Sequence, residues 1–168
     1  AKLKLDSKDS QVVVSAGKSR FTLQTLPAAD FPRVETGAGL GEAIRLPQIA
    51  LKRLLQLVQF AMASQDIRYY LNGMLLVLEG QQLRVVATDG HRLSYAETAL
   101  ETEAASREVI IPRKTVVELS KLLGDVDDPV ELRIGTNQVT ITLPGTELVT
   151  KVVDGKFPDY QRVIPANQ

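Results

Sequence analysis

A chain of 168 residues, 44% of them hydrophobic, is long enough for one packed domain with a further piece attached. Its 20 Lys+Arg balance 20 Asp+Glu, so net charge points to no polyanionic partner, and with no cysteine there are no disulfide staples or thiolate metal sites, as expected of a reducing cytoplasm. No run approaches 18 consecutive apolar residues, which excludes a membrane-spanning helix.

The chain starts at Ala1-Lys2-Leu3, with no Met or leader, and goes straight into strand-like alternation, so it reads as part of something longer. Residues 2–6, 11–16 and 20–26 form a predicted antiparallel meander, closed by Pro27 and Pro32. The Gly-rich stretch 35–43 reads as a linker. A short strand then runs into a helix near Pro47, which suits a first-turn proline, with Leu51, Leu54, Leu55, Val58 and Met62 in helical rhythm. Strands are predicted at 69–78, 82–88 and 91–97. A second strand-then-helix unit follows from 107, with Gly124 as the helix stop. Strands at 129–134, 138–143 and 147–153 complete the pattern.

Two repeats organise these elements. Shifting the sequence by 65 residues lays Pro47 on Pro112, Leu51 on Val116, Leu54 on Leu119 and Val58 on Leu123. Each of these helices precedes three strands, giving β-α-βββ twice within 44–155. A shift of 126 lays Phe31-Pro32 on Phe157-Pro158, so 1–34 reads as the end of a truncated copy of the domain that is complete over 44–160. Residues 161–168 then start a further linker. The expected fold class is α+β, with two helices against antiparallel sheets.

Lys52 and Arg53 stand unopposed within 47–63, and Arg113, Lys114 and Lys121 outnumber Glu118 within 112–123. Gln48, Lys52, Gln56 and Gln59 share the face opposite the leucines, and Lys114, Glu118 and Lys121 do the same on the second helix. Such faces are either ordinary solvated surface or a weak, sequence-blind track for phosphates.

Other motifs carry less chemistry. Gly37–Gly41 lacks the strand-to-helix setting of a dinucleotide loop. "DVDDP" at 125–129 lacks the glycine and distal glutamate of a calcium loop. The only histidine, His91, lies in an Asp-Gly-His-Arg turn, and in order of elements the Asp89-Gly90 turn corresponds to Pro144-Gly145. It reads as a structural hairpin, as a binding edge, or as a hydrolase or phosphoesterase centre built on Asp89, His91 and Arg92. Against catalysis stands the lack of a second histidine, a cysteine or a compact carboxylate cluster for a metal.

"QTLPAADFP", "QDIRYYLNGML", "VATDGHRL" and "VDGKFPDYQRVIP" together resemble the bacterial sliding clamp, the β subunit of DNA polymerase III, over essentially the whole chain. The resemblance implies a doubled β-α-βββ clamp domain preceded by the last strands of another clamp domain, with a third domain to follow. It implies a non-enzymatic processivity factor without cofactor or metal. Its partners would be duplex DNA, bound without regard to sequence, and DNA polymerases, a clamp loader and repair proteins, and two subunits would close into a ring in the cytoplasm. Lys52, Arg53, Arg113, Lys114 and Lys121 would face DNA, joined by Gln65, Arg68, Tyr69 and Tyr70 of the "SQDIRYY" loop. Leu71, Thr88, Gly90, His91, Arg92, Leu93, Pro158, Arg162 and Val163 would form much of a pocket for short peptides of the Gln-Leu-x-Leu-Phe type. Without the other domains, this stretch is expected to hold only half of that pocket, to form no ring, and to leave the strands of 1–26 with an open edge.

Overall fold

The computed structural model describes residues 2–6, 10–32 and 39–165. The chain folds as two units, Ala1–Glu35 and Thr36–Gln168. The first holds β1 (Lys2–Asp6), β2 (Gln11–Ala16) and β3 (Ser19–Gln24) in an antiparallel meander. Register pairs Val12 with Leu23 and Val14 with Phe21, and period-two alternation therefore gathers these four on one face. A 3-10 turn at Ala28–Asp30 follows Pro27.

The second unit begins with β4 (Leu40–Pro47), so residues 40–43, expected in the linker, are strand instead. The register slips between Leu40 and Ala43 as β4 pairs with the later strand β7 (Pro129–Gly135), and this irregular, glycine-bearing start hid the strand. Residues 35–38 of the expected linker lie outside the described residues. Helix α1 (Gln48–Val58) follows, with Pro47 as its extended N-cap. It ends one turn before Met62, which is buried beyond a 3-10 turn at Gln59–Ala61.

The strands expected at 69–78, 82–88 and 91–97 fold differently. Tyr69–Leu71 is a 3-10 turn, and two long strands follow it, β5 (Gly73–Thr88) and β6 (Leu93–Pro112). No hairpin forms at Glu79-Gly80-Gln81. Gly80, at φ 58°, absorbs a bend while the ladder continues, and Gln82 pairs with Ala99 but Gly80 with Ala104. The extra residues on β6 include Leu100, which is buried in the core. Thr98–Ser106, rich in Glu and Ala, gives no strand signal by itself, and it is tied to β5 at Thr98, Ala99 and Ala104.

Helix α2 (Arg113–Leu122) starts from Pro112 as α1 does from Pro47. Strands β7, β8 (Gln138–Leu143) and β9 (Thr146–Lys151) then form a sheet ordered β4-β7-β8-β9. Gly124 is not a left-handed helix stop, since Leu123 is already extended and Gly124 is not among the positive-φ glycines. Its role is close approach: its amide donates to Gln48 Oε1 at 3.0 Å, and an added Cβ would lie 3.1 Å from Val126. Gln48, expected on the solvated face, is therefore buried.

The 65-residue repeat is visible in how the helices begin. Gln48 N donates to Asp128 O and Ile49 N to Val126 O, while Arg113 N donates to Asn72 O. Each helix start is thus capped by the loop before the strand that pairs with its own leading strand, which satisfies amides no helical carbonyl can reach. Leu51 and Val116, Leu54 and Leu119, and Val58 and Leu123 are all buried in one core between helices and sheets.

β5 is apolar on both faces. Met74, Leu76 and Leu78 join the main core, and Leu75 and Val86 face outward into a second cluster with Ile110, Phe157 and Tyr160. That outer cluster forms the floor beneath the site.

Candidate functional site

A cleft of about 410 Å³ opens above the outer cluster, between the turn joining β5 to β6, the 3-10 turn at Tyr69–Leu71 and the segment after β9. Leu71, Thr88, Gly90, His91, Arg92, Leu93, Pro158 and Val163 line it. Arg68 and Tyr70, expected toward DNA, line it too, and so do Asp159 and Tyr160, to which the sequence pattern gives no role. Arg162 is absent from the lining. Its side chain is exposed and pairs with Asp159 at 2.7 Å, because the 3-10 turn Tyr160–Arg162 carries it away from the cleft.

The turn is built by its own side chains. Thr88 Oγ1 donates to Arg92 O at 2.7 Å and accepts from Gly90 N at 3.1 Å. Asp89 Oδ1 accepts the amides of His91 and Arg92 at 2.9 and 3.0 Å, and Oδ2 accepts Arg92 Nε at 3.1 Å. These amides, more than the neighbouring guanidinium, hold the Asp89 carboxyl below the usual range. The carboxylate is thus engaged by its own turn, and among the described residues it makes no hydrogen bond to the imidazole of His91. The hydrolase reading gains no support from this geometry, which shows no orienting partner for the base. Among the described residues no group of three or more His, Cys, Asp or Glu is placed to hold a metal ion.

Gly90 has φ 90°, and a Cβ there would lie 3.2 Å from both terminal nitrogens of Arg68. Glycine therefore serves both the backbone angle and the close approach of the guanidinium. Arg92 turns the other way, its guanidinium carbon 5.6 Å from the ring centroid of Phe60. The floor is apolar: Leu71 is 2% exposed, and Tyr160 stacks against Tyr95 with centroids 6.1 Å apart. Val163, 65% exposed, stands at the open side.

The loop before the cleft is fastened by Asp66 and Asn72. Asp66 N donates to Asn72 Oδ1 at 2.9 Å, and Asn72 Nδ2 donates to Asp66 O at 2.8 Å. The Asp66 carboxylate accepts Arg68 Nε at 3.0 Å and Nη2 at 2.8 Å, together with the Arg68 amide at 2.8 Å. The side-chain bonds from Arg68 are the main reason the Asp66 carboxyl is lowered to about 2. Sequence reasoning missed both residues. They touch no expected ligand, and only their placement on either side of the "IRYYL" segment hinted at a clasp.

The other residues expected toward DNA differ in availability. Lys52 is mostly covered and paired with Asp125 at 2.9 Å, Lys121 pairs with Glu118 at 3.0 Å, and Arg113 Nη1 donates to Met62 O at 3.1 Å. Arg53 and Lys114 are exposed and form no ion pair among the described residues. Tyr69 is exposed, and Gln65 is exposed at φ 58°. The helices are adjacent, with Ser120 Oγ donating to Gln59 Oε1 at 3.4 Å, so Arg53 and Lys114 belong to neighbouring helical surfaces.

Comparison with known proteins agrees with this architecture. Residues 45–159 match the family model for the DNA polymerase III beta subunit, central domain. The chain is 46% identical to the beta sliding clamp of Salmonella typhimurium over 99% of its own length and 45% of that protein's. It is 47% identical to the beta sliding clamp of Haemophilus influenzae over 94% of its length and 43% of that protein's. Among solved structures, the DNA polymerase III subunit beta from Pseudomonas aeruginosa superposes with TM-score 0.86 at 45% identity, covering 97% of this chain and 44% of that one. The DNA polymerase sliding clamp from Bacillus subtilis gives TM-score 0.87 at 30% identity over 98% of this chain and 43% of that one. The chain thus spans less than half the length of the relatives it matches.

Proposed function

The chain belongs to the DNA polymerase III beta-subunit, or sliding-clamp, family, and from that premise we propose that it is the tethering core of a clamp with no chemistry of its own. In the whole protein, two subunits close into a ring on duplex DNA in the bacterial cytoplasm, and the cleft receives short peptides from polymerases, clamp loader and repair proteins. The observation that carries the peptide half is the cleft: an apolar floor whose lining charges are each met by a partner from outside it, Arg68 by Asp66, Arg92 by Asp89 and Asp159 by Arg162. A rim so neutralised favours an apolar guest over a charged one.

Magnitudes suit exchange of partners. Burying one Leu or Phe anchor contributes roughly 1.5–3 kcal/mol. Two anchors, less the cost of ordering a flexible peptide, give an affinity nearer micromolar than nanomolar. Toward DNA, Arg53 and Lys114, exposed and without an ion pair among the described residues, supply positive charge, and a slider requires attraction that reads no sequence.

The test is fluorescence anisotropy of a labelled Gln-Leu-x-Leu-Phe peptide titrated with the protein and with Leu93→Asp. Saturable binding that the variant loses supports the assignment. Equal binding by both proteins moves the peptide elsewhere, and no binding by either removes the cleft's proposed role in this chain.

A further inference from the structure

Resting on the reading of the cleft as a peptide site, we propose that Asp66 and Asn72 are positioning residues that lock Arg68 as the polar wall of the cleft, leaving its Nη1 to donate to an acceptor on the bound peptide. The side chain of Arg68 is 46% exposed, and a long arginine so exposed ordinarily samples many rotamers. Here it is held at three points. Nε and Nη2 bind the two Asp66 oxygens, and Nη2 also donates to Asp89 O at 3.3 Å. Among the described residues Nη1 makes no hydrogen bond; it lies beside Gly90, and both residues line the cleft.

Asp66 can hold Arg68 only if Asp66 is itself fixed, and that is the work of Asn72. Its side chain binds the Asp66 backbone at both N–H and C=O, its own N–H donates to Tyr69 O at 3.0 Å, and its carbonyl accepts Arg113 N at 3.0 Å from the first turn of α2. Every polar group of Asn72 is therefore engaged in fastening this loop to the helix start. Arg68 reaches its place through a chain of bonds running from α2 through Asn72 and Asp66 to the rim. A planar guanidinium fixed in this way is a preorganised donor for a peptide carbonyl.

The experiment measures the dissociation constant of the same labelled peptide for wild type, Asp66→Asn, Arg68→Ala, the double variant Asp66→Asn/Arg68→Ala, and Arg68→Lys. Asp66 is a loop residue whose replacement by its amide leaves the core untouched, and thermal melting checks this. The expected result is a loss of about tenfold for Arg68→Ala, a smaller but clear loss for Asp66→Asn, and no further loss when the two are combined. Arg68→Lys, which keeps the charge but cannot span both Asp66 oxygens, behaves like Arg68→Ala. Losses that multiply in the double variant, wild-type binding by Arg68→Lys, or unchanged binding by Asp66→Asn would overturn the proposal while leaving the cleft assignment standing. Absence of binding by wild type overturns the cleft assignment and this proposal with it.

Discussion

Gly73 gives the sharpest test of how the cleft wall is built. It begins β5 two residues after Leu71 and pairs in register with Pro112, yet it is not among the residues with positive φ. Its need for glycine is therefore spatial. A Cβ at this position would lie 2.5 Å from Ile111 O and 2.8 Å from Ile110 Cγ2. The first neighbour is backbone in a paired strand and cannot rotate aside. Gly73→Ala must push β5 away from the end of β6, just where Asn72 caps α2. Overpacking of this kind costs about 1–3 kcal/mol, and a ladder hydrogen bond broken in the shift adds about 1 kcal/mol. With a urea m-value of about 2 kcal/mol/M, the unfolding midpoint should fall by about 1–2 M. Gly80→Ala is the control, since φ is 58° there and nothing lies within 4 Å, so it incurs only the left-handed strain of about 1–2 kcal/mol. Urea titration by circular dichroism reads both. If Gly73→Ala unfolds with wild type, or later than Gly80→Ala, the spatial argument is wrong.

Leu83→Ala, at a fully buried position in the main core, should cost about 2–5 kcal/mol in the same urea assay. Arg53→Ala and Lys114→Ala should each lower the affinity for duplex DNA, measured by anisotropy across a salt series, and flatten the salt slope by up to about 0.9 for each phosphate no longer neutralised. Lys52→Ala, whose charge Asp125 already meets, should do less. Carboxyl NMR should find Asp66 titrating near 2; because its folded value lies below the unfolded one, its contribution is present above about pH 4 and lost as pH falls toward 2. A midpoint at or above 3.8 would deny the Arg68 clasp. Burial first, and then the hydrogen bond to Glu97, push Tyr95 up to about 12; its contribution is present below pH 10 and lost as pH rises toward 12, and ultraviolet titration should show a tyrosine ionising near that value that Tyr95→Phe removes.

The repeated Pro-helix units were readable because both carry the same apolar spacing, and their burial follows it residue by residue. The turn at Asp89–Arg92 was readable because its side chains close it locally, through hydrogen bonds that span at most four residues. What escaped depends on partners far along the chain. Thr98–Ser106 meets β5 only at Thr98, Ala99 and Ala104, across a register shift, and Gln48 is buried where Gly124 comes close enough to bond it. Arg68 and Tyr70 sit in a segment whose pattern says nothing of direction, and it took the Asp66–Asn72 clasp to turn Arg68 onto Gly90. Periodicity reports which face of an element is buried, but not where a 3-10 turn aims its side chains.

The most direct test of the cleft assignment is a two-dimensional amide NMR titration of the isotope-labelled protein with the unlabelled Gln-Leu-x-Leu-Phe peptide. Saturable shifts are expected at Leu71, Thr88, Gly90, Leu93, Tyr160 and Val163, with β7 and β8 undisturbed. Saturable shifts centred on another surface, with those six amides unmoved, would refute the assignment.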